Sequence, residues 1–184
     1  MNPDQRTSNA PREVTLSRRA VPFVWAILVL AILVALPWAV SRVGPRYGWC
    51  EAVPGTWNLI GLAGVAAGLA GYVWCLVFHF KTYHASVRLG FAPPHLVTGG
   101  PYQYSRNPMY VSGLFAWLGW TLFYGSPAVL VGLVVLWLAF ALRVIPYEEC
   151  QLEALFGAEY REYKRSVGRW IGRRPTPCQG PPDG

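Results

Sequence analysis

Apolar and polar positions along this chain fall into long blocks, not short alternations. Residues 21–40, VPFVWAILVLAILVALPWAV, carry no charge. A helix of that length, rising about 1.5 Å per residue, crosses a hydrocarbon layer of about 30 Å. The block exceeds the apolar core of a signal peptide, about 7–15 residues, and further apolar blocks follow it. An uncleaved helix is therefore the reading preferred, despite a faint twin-arginine pattern at Ser17-Arg18-Arg19. Residues 58–80, NLIGLAGVAAGLAGYVWCLVFHF, set Gly61, Gly64, Gly68 and Gly71 at intervals of three and four. In lipid that spacing lets a second helix approach closely. No strand precedes these glycines, so they are not a nucleotide-binding loop. A third block runs from Pro108 to Tyr124 and a fourth from Ala128 to Ile145, with Gly125-Ser126-Pro127 between them. So short a link predicts an antiparallel helical hairpin. Beyond it, Leu152, Leu155, Phe156, Tyr163 and Val167 recur at roughly helical spacing. Glu153, Glu159, Arg161, Glu162, Lys164 and Arg165 fill the other face, as in an amphipathic helix lying on a membrane surface. The fold expected is all-α: a polytopic membrane protein of about four transmembrane helices, with a C-terminal helical hairpin and an interfacial amphipathic helix.

Composition sharpens this picture. Of the 184 residues, 53% are hydrophobic and 14% charged, where a soluble domain carries about 25% charged residues. A disordered chain is excluded and an ordinary water-soluble globule is disfavoured. The formal charge of +7 fits basic segments lying against anionic lipid better than a nucleic-acid partner. Arg6, Arg12, Arg18 and Arg19 precede the first block, Arg42 and Arg46 follow it, and Lys81, Arg88 and Arg106 precede the third. Arg143, Arg161, Lys164, Arg165, Arg169, Arg173 and Arg174 cluster after the fourth, while the hairpin tip has none. With four spans and both termini in the cytoplasm, the basic segments are expected on one side. Arginine outnumbers lysine fourteen to two, an association with GC-rich bacterial genomes that points to a bacterial inner membrane. Cys50, Cys75, Cys150 and Cys178 form no C-x-x-C pair, and His79, His84 and His95 form no H-E-x-x-H, so neither a disulfide framework nor a metal site is expected. Residues 1–20 and 172–184 are expected to be disordered.

Two segments carry candidate chemistry. In HLVTGGPYQYSRNPMYVSG, residues 95–113, Gly99-Gly100-Pro101 makes a sharp turn, and Asn107 stands as a natural N-cap before Pro108. An Asn-Pro helix start needs no function, and tyrosines suit a membrane interface; Arg106 beside Tyr102, Tyr104 and Tyr110 is harder to explain so blandly. In RVIPYEECQLEALFGAEYREYKRSVGRWI, residues 143–171, Glu148 and Glu149 follow directly on an apolar span. Carboxylates at a bilayer edge are costly unless solvated, paired or turned into a polar cavity. Adjacent helical residues point about 100° apart. One glutamate can therefore face the bundle while the other pairs with Arg143 or Arg106. A cation, an amide, a carboxylate and aromatic faces together suit S-adenosylmethionine. Arg binds its carboxylate, Glu its ammonium, and a tyrosine face its sulfonium.

LVTGGPYQYSRNPMY, the later YEE and the ending FGAEYREYKRSVGRWI resemble the isoprenylcysteine carboxyl methyltransferase family, which is related to the membrane phospholipid methyltransferases. The similarity covers about residues 81–171. Its signature is an Arg-His-Pro-x-Tyr or Arg-Asn-Pro-x-Tyr turn, an apolar span and then Glu-Glu. The resemblance implies an integral membrane enzyme binding S-adenosylmethionine in a cytoplasm-facing pocket, with a lipophilic acceptor entering from the bilayer. Residues 21–80 are expected, from their apolar blocks, to form two N-terminal membrane helices, and the resemblance implies a methyltransferase core at 81–171. The cofactor-binding positions fall on Pro94, His95, Leu96, Val97, Tyr102, Asn107, Pro108, Met109, Tyr110 and Glu148. Arg106 and Glu149, with Glu148, are the candidates for a catalytic or orienting role. Asn107 replaces the motif histidine of the prenylcysteine enzymes, and the arginine expected four residues before the first glutamate is Val144. That weakens a prenylcysteine carboxylate as acceptor and leaves a phospholipid amine or another small membrane-partitioning molecule in view. Two other readings remain: an NADPH-dependent membrane reductase of sterol or enone type, and a non-catalytic membrane subunit. The sequence does not determine the oligomeric state.

Overall fold

The computed structural model describes residues 20–82 and 95–172. Residues 1–19 and 173–184, and the candidate ligand Pro94, lie outside them. Helix α1 comprises Ala20–Leu30, a wide π turn at Ala31–Ala35 and a final stretch Leu36–Val40. A small hairpin follows, an addition to the all-helical expectation. In it β1 (Trp49–Cys50) pairs antiparallel with β2 (Val53–Pro54). Glu51 and Ala52 between them take positive φ values of 48° and 68°, as the tight turn of a two-residue hairpin loop requires. Helix α2 is Ile60–Thr82, α3 is Pro108–Tyr124 and α4 is Pro127–Ala139. A second π turn, Phe140–Val144, leads into α5, Ile145–Ser166.

Each π turn ends two residues before a proline. Pro37 has no N–H to offer Leu33 O, four residues back, and its ring crowds that carbonyl. The chain widens there, and two indoles from α3 supply the missing donors. Trp117 Nε1 donates to Ile32 O at 3.2 Å, and Trp120 Nε1 to Leu33 O at 2.6 Å. Pro146 stands in the same relation to the turn before α5. Inserting one residue into a helix rotates everything after it by about 100°. The faces presented by Glu148 and Glu149 are therefore set by this turn as well as by the period of α4.

The amphipathic segment begins in line with α4 and turns at a kink within α5. The stretch Pro127–Ser166 covers 40 residues and comprises two helices joined at a kink, where Gly157 (φ 50°, ψ −114°) leaves helical geometry. That break resets the helical phase. Leu152 and Phe156 before it, and Tyr160, Tyr163 and Val167 after it, share one cluster with Leu96 and Tyr102. Leu155, expected on this face, is 56% exposed.

Helices α2 and α3 pack backbone to backbone. A Cβ on Gly68 would lie 2.4 Å from Ala116 N, and one on Gly61 would lie 2.3 Å from Phe123 N. Gly119 of α3 meets Val65 N in the same way, at 2.4 Å. The glycine stripe thus serves the close approach anticipated for it. At the far end, buried Asn58 donates through Nδ2 to the carbonyls of Tyr47, Leu122 and Phe123 at 3.2, 3.1 and 3.0 Å. The Trp49 indole also donates to Phe123 O, at 2.9 Å. These donors satisfy carbonyls that the end of a helix leaves open.

The same contacts place Arg42 and Arg46 beside the α3–α4 turn, away from the end where Arg106 meets α5. The basic residues therefore do not gather at one end of the bundle. Arg46 is held by aromatic faces, 5.2 Å from the Trp49 ring and 5.4 Å from the Tyr124 ring, and such contacts stabilise a cation away from bulk water.

Two helices, Ile60–Thr82 and the run Pro127–Ser166, are long and apolar enough to cross a membrane; Ala26–Val40 is apolar but shorter, and α3 has 17 residues. The outer faces carry large apolar side chains such as Ile60, Val131 and Leu142.

Gly68→Ala should cost about 1–3 kcal/mol, the usual penalty for overpacking. Gly113→Ala, whose new Cβ meets only Leu33 Cδ2 at 3.5 Å, should be neutral or gain up to about 1 kcal/mol from helix propensity. Thermal unfolding in detergent compares the two; equal stability would mean that α2 and α3 do not pack in this register.

Candidate functional site

The turn into α3 is built from small residues and backbone bonds. Gly100 takes φ +56° beneath Phe78, where a Cβ would lie 2.4 Å from the ring. Residues Gly100–Gln103 then make one 3-10 turn. Ser105 is buried, and its Oγ accepts from Asn107 N at 3.0 Å. Pro108 is the first residue of α3, where a missing N–H costs nothing.

Asn107 occupies the N-cap position, but its side chain makes no capping bond. With φ −130° and ψ 54°, the backbone turns the amide to the C-terminal segment, where Nδ2 donates to Arg169 O at 3.0 Å. This corrects the capping role read from the sequence. The same segment hooks over the turn through its main chain. Arg106 N donates to Gly168 O at 3.0 Å, Gly172 N to Tyr104 O at 2.9 Å, and Gly168 N to Gly172 O at 2.7 Å.

The two glutamates part company. Glu148 faces α3, where Tyr110 Oη donates to its Oε1 at 2.7 Å across 38 residues of sequence. The Tyr110 ring lies 4.4 Å from that of Phe140, the first residue of the second π turn. Burial pushes the Glu148 carboxyl above its usual range, and the hydrogen bond from Tyr110 pulls it partly back. Glu149 faces two guanidinium groups. Arg106 Nη1 lies 3.0 Å from Oε1. Arg169 donates through Nε to Oε1 at 3.1 Å and through Nη2 to Oε2 at 2.7 Å, the bidentate fork that suits Arg and carboxylate. Side-chain exposures are 9% for Arg106, 12% for Glu149 and 39% for Arg169, so the Arg106–Glu149 pair is the buried one. Its Nη1 contact is a charge contact without hydrogen-bond alignment, and Arg106 Nε and Nη1 have no hydrogen-bond acceptor among the described residues. Arg143, the other candidate partner, is exposed.

Tyr102 and Leu96 reach this end through the α5 cluster, and Tyr163 Oη donates to Tyr102 O at 2.7 Å. Burial pushes the Tyr160 and Tyr163 phenols above the ordinary tyrosine range. His95 is exposed, Val97 and Met109 are half-buried, and Pro108 is buried. Sequence reasoning missed Arg169, Tyr160 and Ser105 at this site. Arg169 lies beyond the helix, where periodicity carries no signal. Tyr160 belongs to the face displaced by the Gly157 break.

Residues 59–159 match the phospholipid methyltransferase family. The chain belongs to that family. Its relatives include the cobalt-zinc-cadmium resistance protein CzcN of Cupriavidus metallidurans, 33% identical over 82% of this chain and 62% of the relative. Protein-S-isoprenylcysteine O-methyltransferase A of Arabidopsis thaliana is 34% identical over 50% of this chain and 47% of its own length. Methanethiol S-methyltransferase of Pseudomonas deceptionensis is 28% identical over 80% of this chain and 58% of its own length. The chain thus spans between about half and three-fifths of the length of these relatives. No solved structure matches. The family match covers both Arg106–Tyr110 and Glu148-Glu149, and ends before Arg169.

Removing one partner of a buried ion pair costs about 3–5 kcal/mol. Glu149→Ala should approach that figure, because it strands two cations. Arg169→Ala should cost less, since Glu149 keeps Arg106 and the lost group is more than one-third exposed. Chemical unfolding in detergent ranks the two variants, and the reverse order would contradict this charge arrangement.

Proposed function

We propose that the chain is an integral membrane methyltransferase that uses S-adenosylmethionine to methylate a lipophilic acceptor at the cytoplasmic face of a bacterial inner membrane. In this reading α1, α2, α3 and α4 all cross the bilayer and both termini are cytoplasmic. The observation that carries it is the meeting of Tyr110 with Glu148 and of Arg106 with Glu149, which gathers two distant motifs at one end of the bundle. Family membership, together with relatives named as methyltransferases, favours this reading over a reductase or a non-catalytic subunit. The apolar outer faces of the helices favour lipid as their surroundings.

The donor set suits the cofactor. Glu148 would take the ammonium, and the unmatched N–H groups of Arg106 would take the carboxylate. The aromatic faces of Tyr110 and Tyr102 would lie against the cationic part, and His95, Leu96, Val97, Asn107, Pro108 and Met109 would line the remainder, with Pro94 just before them. When bound, S-adenosylmethionine supplies the electrophilic methyl group. The residues around it would position the reacting groups and exclude water, from which most of the barrier reduction can come. An acceptor that must lose a proton requires a base. Glu148, its carboxyl raised by burial, would serve an ammonium or a hydroxyl in this way only where another group takes the cofactor ammonium. Val144, in place of an arginine, favours such an acceptor over a prenylcysteine carboxylate. A lateral apolar groove of about 410 Å³ between α3 and α4, lined by Val111, Phe115, Val134, Trp137 and Trp170, supports a lipophilic acceptor.

Isothermal titration of S-adenosylhomocysteine in detergent tests the site. A hydrogen bond to a charged group contributes about 1.5–3 kcal/mol, so Glu148→Ala should weaken binding about 10- to 100-fold; unchanged affinity in both Glu148→Ala and Tyr110→Ala would remove the site. Binding should also depend on pH. Burial raises the Glu148 pKa, so its negative charge, and the affinity it supports, is lost as pH falls through a value above the ordinary carboxylate range. Tyr110→Phe deletes the bond that lowers this pKa, so the midpoint should move further up; a midpoint that moved down would contradict the assignment.

A further inference from the structure

The two motif segments do not contact the C-terminal segment by chance of packing alone, because one residue there engages both. Arg169 O accepts from Asn107 Nδ2 at 3.0 Å and from Ser105 Oγ at 3.4 Å, on the turn that starts α3. Its guanidinium grips both oxygens of Glu149 on α5. Gly168 O, one residue earlier, accepts from Arg106 N. Main chain and side chain of one short stretch thus tie Ser105–Asn107 to Glu149. The charge balance points the same way. Arg106 and Arg169 share one carboxylate, so Arg169 takes up both oxygens of Glu149 in good hydrogen bonds and leaves Arg106 with a charge contact and unmatched N–H groups.

We propose that Arg169 is a positioning residue of the methyl-donor site: by clamping Glu149 it leaves the Nε and Nη1 N–H groups of Arg106, which lack acceptors among the described residues, to receive an anionic group of the cofactor, without touching the reacting atoms itself. This rests on the reading of the Tyr110–Glu148 neighbourhood as the cofactor site. A fork is required rather than a point charge. Arg169→Lys keeps the positive charge but cannot bridge both carboxylate oxygens in one plane. In its absence Glu149 turns to Arg106 and satisfies the donors meant for the ligand.

The test uses the full chain in detergent, with S-adenosylhomocysteine for binding and S-adenosylmethionine with a bacterial lipid extract for turnover. Arg169→Ala retains the backbone contacts, so it isolates the clamp. It should raise the KM for S-adenosylmethionine and the Kd for S-adenosylhomocysteine about 10-fold or more, the loss of one charged hydrogen-bonded contact. At saturating cofactor kcat should stay within about threefold, as expected for a lost binding contribution. Arg169→Lys should recover only part of the affinity, and millimolar guanidinium should restore binding in Arg169→Ala while leaving the parent unchanged. Unaltered affinity in Arg169→Ala, full recovery with Lys, or a fall in kcat at constant KM would each overturn the proposal. Should Arg169→Ala lack a thermal unfolding transition, Arg169→Lys against Arg169→Gln makes the same comparison of fork, charge and neither. Tyr110→Phe, measured in parallel, separates the two levels. If it weakens binding and Arg169→Ala does not, only the role of Arg169 fails; if neither weakens binding, the cofactor site itself fails.

Discussion

A single carboxylate held between two guanidinium groups is the constraint on which the site depends. Glu149 cannot be buried to 12% side-chain exposure alone, because an ion stripped of water needs a partner in hydrogen-bonding geometry. Arg106 supplies charge from the turn before α3, and Arg169 supplies a planar fork from beyond α5. Three stretches of chain are thereby fixed to one another. Once Glu149 is committed, its neighbour Glu148 is left on an adjacent face and meets Tyr110. The difference between two adjacent glutamates is thus a matter of helical angle, and each angle has its own partner.

The helical bundle supplies the rigid frame behind this arrangement. Glycines on α2 and Gly119 on α3 bring the two backbones into contact, so α3 has little freedom to slide or rotate. Its far end is fixed by Asn58 and Trp49 on the last carbonyls. Its near end begins at Pro108, under the C-terminal hook. The prolines act on the partner helices. Pro37 opens α1 where the α3 tryptophans can donate, and Pro146 opens the α4–α5 run just before the glutamates. A helix of uniform period would present Glu148 and Glu149 to different neighbours. Membership of the phospholipid methyltransferase family gives this frame a chemical context in which a cation, a carboxylate and aromatic rings at one helix end have a use.

Much of this was legible in the chain. Continuous apolar blocks locate α1 to α4 closely, since runs of that length without alternation suit helices and not strands. The glycine spacing identified α2 as a close-packing helix, and Gly125-Ser126-Pro127 fixed the hairpin. Asn107-Pro108 and Glu148-Glu149 stood out as chemistry. Other features were not legible. The amphipathic period across residues 152–167 concealed the break at Gly157, and so put Leu155 inside and missed Tyr160. Charge counting placed all the basic segments together, whereas Arg42 and Arg46 sit at the opposite end among aromatic rings. Pro37 and Pro146 were visible signals of π turns, but a proline in an apolar helix announces a disturbance without saying which donor repairs it.

Local order therefore came from the sequence alone: helix lengths, the glycine face and the tight link all follow from steric preference and burial within a few turns of chain. Only the tertiary structure decided which glutamate faces which partner, that the Asn107 amide serves the C-terminal segment instead of its own helix, and that Arg169 joins the halves of the site. Those choices rest on hydrogen bonds between residues 20 to 62 positions apart. Their geometry depends on helix phase, and one π turn or one left-handed glycine shifts that phase by an amount that no periodicity records.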